Sequence, residues 1–250
     1  MSDHAPLVNP QAFAEMARKP LERLPNPMPI TPLPQSFNID LTPPGSKSLS
    51  NRALLLAALA DGESAIHNPL LDAEDARRMV EALRVLGATI EASDDRHMVR
   101  VRGVGGRLRG GASVNLGNAG TATRFLAAAA GLLAEGPVTI DGDARMRQRP
   151  IDALRDALGE LGCGVEHLGD ASCPPVRLTP PAEAPRGAEL TLPTTASSQF
   201  ISALLLVAPW LPDGLTLRLE GEVTSRSYVV MTLELLRVLG AKVSASEDLA

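Results

Sequence analysis

Leu83-Arg-Val-Leu-Gly-Ala88 returns as Leu236-Arg-Val-Leu-Gly-Ala241, and Leu158-Gly-Glu-Leu-Gly-Cys163 stands between them. The Leu-Gly pair falls at 86–87, 161–162 and 239–240, so its glycines are 75 and then 78 residues apart. Self-similarity at a fixed period points to one structural unit used repeatedly. Upstream of each Leu-Gly pair, apolar residues at helical spacing predict a helix over Ala73–Leu86, Ile151–Leu161 and Tyr228–Leu239, stopped by the glycine. Before each helix comes a Gly-led strand: Ser64–Leu70, Val138–Asp143 and Leu215–Glu220. Downstream lie short strands at Thr89–Ala92, Val165–Leu168 and Lys242–Ala245, and the first two units close on Met98–Arg102 and Val176–Thr179. Strands also open the later units, at Ser113–Leu116 and Glu189–Leu192. The expected class is α/β (α+β), a β-α-β-α-β-β unit repeated over about 44–112, 113–187 and 188–250. The third unit has no counterpart of Met98–Arg102, which makes the front portion of a longer protein the expectation.

Each unit also contains a stretch suited to holding anions: Gly45-Ser-Lys-Ser-Leu-Ser-Asn-Arg52, Gly117-Asn-Ala-Gly-Thr-Ala-Thr-Arg124 and Thr194-Thr-Ala-Ser-Ser-Gln199. Small hydroxyl, amide and Gly residues there precede apolar helical runs at Ala53–Ala60, Phe125–Ala134 and Phe200–Leu211. Open N–H groups and the dipole at such helix starts favour negative charge. Lys47, Arg52 and Arg124 add cations. The pattern predicts a substrate, or a pair of substrates, rich in phosphate and carboxylate.

The composition is that of a globular chain: 250 residues, 44% hydrophobic and 21% charged, with only 2% aromatic. The formal net charge of −5 argues against nucleic acid as a partner. The first 35 residues carry eight prolines and the acids Asp3, Glu15 and Glu22, with no apolar core like a signal peptide's. They read as an irregular Pro-rich leader. The longest apolar runs are too short to span a bilayer, so no membrane association and a cytoplasmic location are expected. Cys163 and Cys173 show neither disulfide nor metal spacing, and His4, His67, His97 and His167 are scattered, so no metal is expected.

Five segments together resemble the EPSP synthase family: Pro44–Arg52, Leu116–Arg124, Asp141–Ile151, Ser197-Ser-Gln199 and Ser225-Arg-Ser-Tyr228. The resemblance runs from about residue 36 to the end of the chain. It implies transfer of the enolpyruvyl group from phosphoenolpyruvate to the 5-hydroxyl of shikimate 3-phosphate, with phosphate leaving and no cofactor. It also implies a two-lobed, monomeric enzyme, each lobe having three such units around a pseudo-threefold axis, with the strand at 36–43 belonging to the other lobe. Carried over residue by residue, Lys47 contacts both substrates. Ser48 and Arg52 hold the shikimate carboxylate side. Gly120 and Arg145 hold the phosphoenolpyruvate phosphate. Ser197, Ser198 and Ser225 hold the 3-phosphate, with Tyr228 nearby, and Gln199 touches both ligands. The family's acid–base groups lie in the second lobe, so no general acid or base is assigned.

Other readings of the same residues stand beside these. Gly45-Ser-Lys-Ser lacks the glycine spacing of a nucleotide P-loop. Alternate spacing of Arg145, Arg147 and Arg149 predicts an extended segment with Arg145 and Arg149 on one face and Pro150 starting the next helix. Ser197 and Ser198 could be mere helix caps, as Ser often is, but binding is the favoured reading. Asp72, Glu74 and Asp75 read as a helix-start charge cluster. Phe125 stands where many members of the resembled family carry Pro. Enolpyruvyl transfer to UDP-N-acetylglucosamine is the nearest alternative, but members of that type carry Lys-Asn where Lys47-Ser48 stands. A non-catalytic anion-binding lobe is the alternative of another class.

Overall fold

The computed structural model describes residues 15, 18–20, 23–27, 40, 43–170, 172–193, 197–221, 223–246 and 249. The chain forms two units, 1–43 and 44–250. Apart from Asp40, the strand expected at about 36–41 lies outside the described residues, as do Thr194–Ala196 and most of the leader.

Residues 44–250 run α1 (Lys47–Leu59), β1 (Glu63–His67), α2 (Glu74–Val85), β2 (Thr89–Ala92), β3 (Met98–Arg102), then β4 (Ala112–Asn115), α3 (Gly120–Leu133), β5 (Val138–Asp141), α4 (Asp152–Glu160), β6 (Gly164–His167), β7 (Val176–Thr179), then β8 (Ala188–Leu192), α5 (Ser198–Val207), β9 (Leu215–Leu219) and α6 (Arg226–Val238). The Leu-Gly repeat has a local physical cause. Gly87, Gly162 and Gly240 take positive φ, at 111°, 87° and 90°, a region open to glycine but strained for other residues. This lets the next N–H turn back onto a carbonyl of the helix. Ala88 N donates to Leu83 O (3.0 Å), Cys163 N to Leu158 O (2.9 Å) and Ala241 N to Leu236 O (3.0 Å). Three copies of one C-terminal cap therefore end α2, α4 and α6.

The second helices bury a single stripe: Ala76, Met79 and Leu83 on α2, Leu154 and Leu158 on α4, and Val229, Leu233 and Leu236 on α6. The first helices are different. α3 is buried on almost every residue, and α1 and α5 are nearly as apolar. They pack on one another at the centre, where small Ala127–Ala130 admits close approach.

Each unit has its own sheet, and strands of equivalent position pair in the same order. The first sheet is β1-β3-β2, all antiparallel. The second is β4-β5-β7-β6, with β4 parallel to β5 across the α3 crossover and the remaining pairs antiparallel. The third is the parallel pair β8-β9.

The strand expected at Lys242–Ala245 is absent: residues 241–246 are irregular. In the first two units the equivalent strands, β2 and β6, pair only with the closing strands β3 and β7. No closing strand follows α6 among the described residues, so Lys242–Ala245 has no ladder to join. The boundaries of two helices also shift. Pro209 cannot donate a backbone hydrogen bond, and the run expected to Leu211 leaves α-geometry after Val207 for a 3₁₀ turn at Ala208–Trp210. Pro150 lies before α4, whose cap is Ile151.

Candidate anion site at the converging helix starts

The small polar residues expected to precede the first helices lie partly inside them. Ser46 is the N-cap of α1, its Oγ accepting from Leu49 N at 3.4 Å, so Lys47, Ser48 and Arg52 occupy the first two turns. Gly120 opens α3. Ser197 caps α5, with its Oγ accepting from Gln199 N at 3.3 Å, and Ser198 begins that helix. The capping reading of Ser197 therefore holds locally. Ser225 caps α6 in the left-handed region, at φ 56°.

Contacts across repeats gather these starts at one end of the lobe. Arg52, only 2% exposed, reaches from α1 into the other helices. Its Nε donates to Thr232 Oγ1 on α6 (2.7 Å) and its Nη2 to Ser202 Oγ on α5 (3.0 Å) and to Tyr228 O (3.2 Å). Nη1 donates to Ser48 O (3.0 Å). The guanidinium lies over the Phe125 ring of α3 at 5.1 Å and the Tyr228 ring at 6.0 Å. Arg124 repeats the theme one unit on, lying over Phe200 of α5 at 6.0 Å and donating to Gly120 O and Pro150 O. Ser202 takes the place of Arg124 in the third unit, five residues after the cap Ser197 as Arg124 is five after the cap Ala119.

Neither Arg52 nor Arg124 has a carboxylate partner among the described residues. Burial lowers Arg52 to about 10, opposed in part by Tyr228. Burial lowers Arg124 to about 10 as well, with Arg149 close by adding to the effect. Both stay cationic at neutral pH, so this end of the lobe holds two desolvated, acid-free positive charges. Lys47 adds a third, half-exposed, with its Nζ 3.0 Å from Asp75 Oδ1.

The Arg145–Arg149 segment departs from the extended expectation. Asp143 Oδ1 accepts from both Arg145 N and Met146 N at 2.9 Å, and this curls Met146–Gln148 into a 3₁₀ turn that buries Met146. The three arginines consequently diverge. Arg145 is exposed beside Gln148, Arg147 is bound to Asp141, and Arg149 lies across Gly120 while donating to Asn118. A Cβ at Gly120 would stand 2.6 Å from Arg149 Nη1, so the glycine makes room for a guanidinium.

Sequence reasoning assigned Asp75 only to a charge cluster, and gave no site role to Ser202, Thr232 or Phe200. Aligned on their first residues, the three mouths mark Ile201 rather than Ser202, so the helix caps were needed to find it. The ring contacts and the Thr232 bond depend on helices meeting from distant repeats. Asn51, fully buried one turn beyond Lys47, has no hydrogen-bond partner for either amide atom among the described residues.

The family model described as EPSP synthase (3-phosphoshikimate 1-carboxyvinyltransferase) matches residues 33–249. The chain belongs to the EPSP synthase family. It is 45% identical over 203 residues to the 3-phosphoshikimate 1-carboxyvinyltransferase of Serratia proteamaculans, covering 80% of this chain and 46% of that protein. The protein of that name from Sodalis glossinidius is 45% identical over 80% of this chain and 45% of its own length. The chain thus spans about half the length of the curated relatives it matches. Among solved structures, an Acinetobacter baumannii EPSP synthase superposes with a TM-score of 0.72 at 27% identity, over 83% of this chain and 45% of that one. The enolpyruvyl transferase NikO from Streptomyces tendae shares the fold, with a TM-score of 0.56 at 20% identity, over 78% of this chain and 43% of its own.

Proposed function

We propose that residues 44–250 are the substrate-binding lobe of an enzyme that transfers enolpyruvyl from phosphoenolpyruvate to the 5-hydroxyl of shikimate 3-phosphate. The observation that carries this reading is the convergence of helix starts from all three repeats around Lys47, Arg52 and Arg124, with no acid paired to either buried arginine. Such a surface attracts a ligand bearing several negative charges. Lys47, half-exposed at the start of α1, contacts both substrates. Ser48 and Arg52 take the shikimate carboxylate. Ser197, Ser198 and Ser225 take the 3-phosphate beside Tyr228, Gln199 reaches both ligands, and Gly120 with Arg145 takes the phosphoenolpyruvate phosphate. In the reaction the 5-oxygen bonds to the enol carbon bearing oxygen, and the bond from that carbon to the phosphate oxygen breaks. A proton must reach the other enol carbon and another must leave the hydroxyl as the oxygen adds, and the methyl so formed must give a proton back as phosphate leaves, which restores the double bond. Asp75 is tied to Lys47, and no described residue is assigned either task.

On this reading, 1–35 is a leader and 36–43 belongs to the second lobe. The whole protein works as a cytoplasmic monomer that uses neither metal nor cofactor. Titration calorimetry on the 250-residue chain tests the assignment: shikimate 3-phosphate should bind detectably and phosphoenolpyruvate more weakly. The reverse order, or no binding of shikimate 3-phosphate to a folded chain, would overturn it.

A further inference from the structure

The Arg52 guanidinium has five N–H groups and spends four of them inside the lobe, on Thr232, Ser202, Tyr228 O and Ser48 O. Both Nη2 protons and the Nε proton are used. The remaining one is on Nη1, the nitrogen that also reaches the Ser48 carbonyl in the first turn of α1. Among the described residues it has no acceptor. What flanks this cation is a pair of aromatic rings rather than an acid: Phe125 at 5.1 Å and Tyr228 at 6.0 Å. A carboxylate there would neutralise Arg52 and compete for its last proton. A ring face attracts the cation through its quadrupole yet offers no strong acceptor, so charge and proton stay available. Phe125 is 0% exposed, one residue beyond Arg124 on a helix buried on nearly every side. It cannot touch a ligand itself.

We propose that Phe125 is a positioning residue: its ring, together with that of Tyr228, fixes the Arg52 guanidinium so that the free Nη1 proton meets the ligand carboxylate. This rests on the reading of Arg52 as the carboxylate contact. Leu at this position would supply apolar volume without the attractive face, leaving the guanidinium freer to turn away from the mouth.

Calorimetry on the 250-residue chain compares shikimate 3-phosphate with its carboxyl methyl ester, which lacks the charge Arg52 would meet. Phe125→Leu should weaken shikimate 3-phosphate about two- to thirtyfold, the range of a partly to fully desolvated cation–π contact. The ester's affinity should stay unchanged. Phe125→Met, of similar volume, should behave alike, with thermal melts confirming that each variant is folded. In the unsubstituted chain, the Arg52 Nε–H resonance should show a ring-current shift that both variants reduce to the part given by Tyr228. That signal keeps the proposal testable if neither variant folds, and its absence from the unsubstituted chain would overturn it. Equal weakening of both ligands, or no weakening in a folded variant, would overturn the role of Phe125 alone. Failure of the unsubstituted chain to bind shikimate 3-phosphate would overturn the functional reading and this inference with it.

Discussion

Replacing Arg52 with Met removes a buried cation while keeping much of its apolar length, and opposing effects decide the result. Arg52 donates four hydrogen bonds within the lobe. Bonds to charged groups contribute about 1.5 kcal/mol each at the low end. The two ring faces add about 1 kcal/mol together. Against this, burial, opposed in part by Tyr228, lowers the guanidinium to about 10, a net cost of about 3 kcal/mol. The bonds win, and Arg52→Met should destabilise the lobe by about 4 kcal/mol. For a unit of this size that is a fall in melting temperature of about 8–16 °C. Urea titration followed by far-ultraviolet circular dichroism measures the difference, with an unchanged slope showing that the unfolding reaction is the same. A midpoint that stays put or rises would mean that burying the charge costs as much as its bonds return, as happens when some buried ion pairs are replaced by apolar groups. The description of Arg52 as a tie between repeats would then be wrong.

Three other outcomes are open to measurement. Asp75→Asn removes the ion pair to half-exposed Lys47 and should change stability by no more than about 1 kcal/mol in the same titration, because solvent screens such pairs. Burial pushes the Cys163 thiol up to about 11, so in the folded chain it keeps a proton that the unfolded chain releases near pH 9. Its stabilising contribution is therefore complete below pH 9 and is lost as pH rises towards 11; a Cys163→Ala variant should lack that component of the pH dependence, and matching stability profiles would disprove it. In an enzyme with both lobes, Arg145→Ala should lower kcat/KM about tenfold or more through phosphoenolpyruvate, whereas Ser197→Ala should act on shikimate 3-phosphate; equal shifts for both substrates would contradict the division into two anion pockets.

What the sequence made legible was whatever is decided locally. A Leu-Gly pair ending an amphipathic stripe specifies a C-terminal cap wherever it occurs, so α2, α4 and α6 could be placed within a residue or two. The helix starts were harder. Serine and asparagine suit both a loop and a first turn, and only backbone geometry assigns Lys47–Arg52 to α1. The 3₁₀ turn at Met146–Gln148 was hidden because alternating arginines mimic an extended strand, while its cause, the side chain of Asp143, lies outside the alternation. Lys242–Ala245 has the composition of a strand, but a strand forms only against a partner. Least visible was the setting of Arg52, whose bond to Thr232 joins residues 180 positions apart. Spacing within one repeat cannot reveal which side chains meet when three repeats close on a common centre.

The chain's single tryptophan sits at a telling place. After β3, residues 103–108 cross the ends of two central helices, with Val104 N bonded to Ala58 O and Leu108 N to Leu133 O. A Cβ at Gly106, within that crossing, would run into the indole of Trp210, which lies in the 3₁₀ turn after α5. Trp210 therefore touches the one segment that carries the chain from the first repeat to the second, from its own position in the third. With no other indole to contribute, tryptophan fluorescence reports on this seam alone. Emission that reddens before far-ultraviolet dichroism falls would show the repeats parting while their helices are still intact. Coincident changes would show that the three repeats unfold as one body.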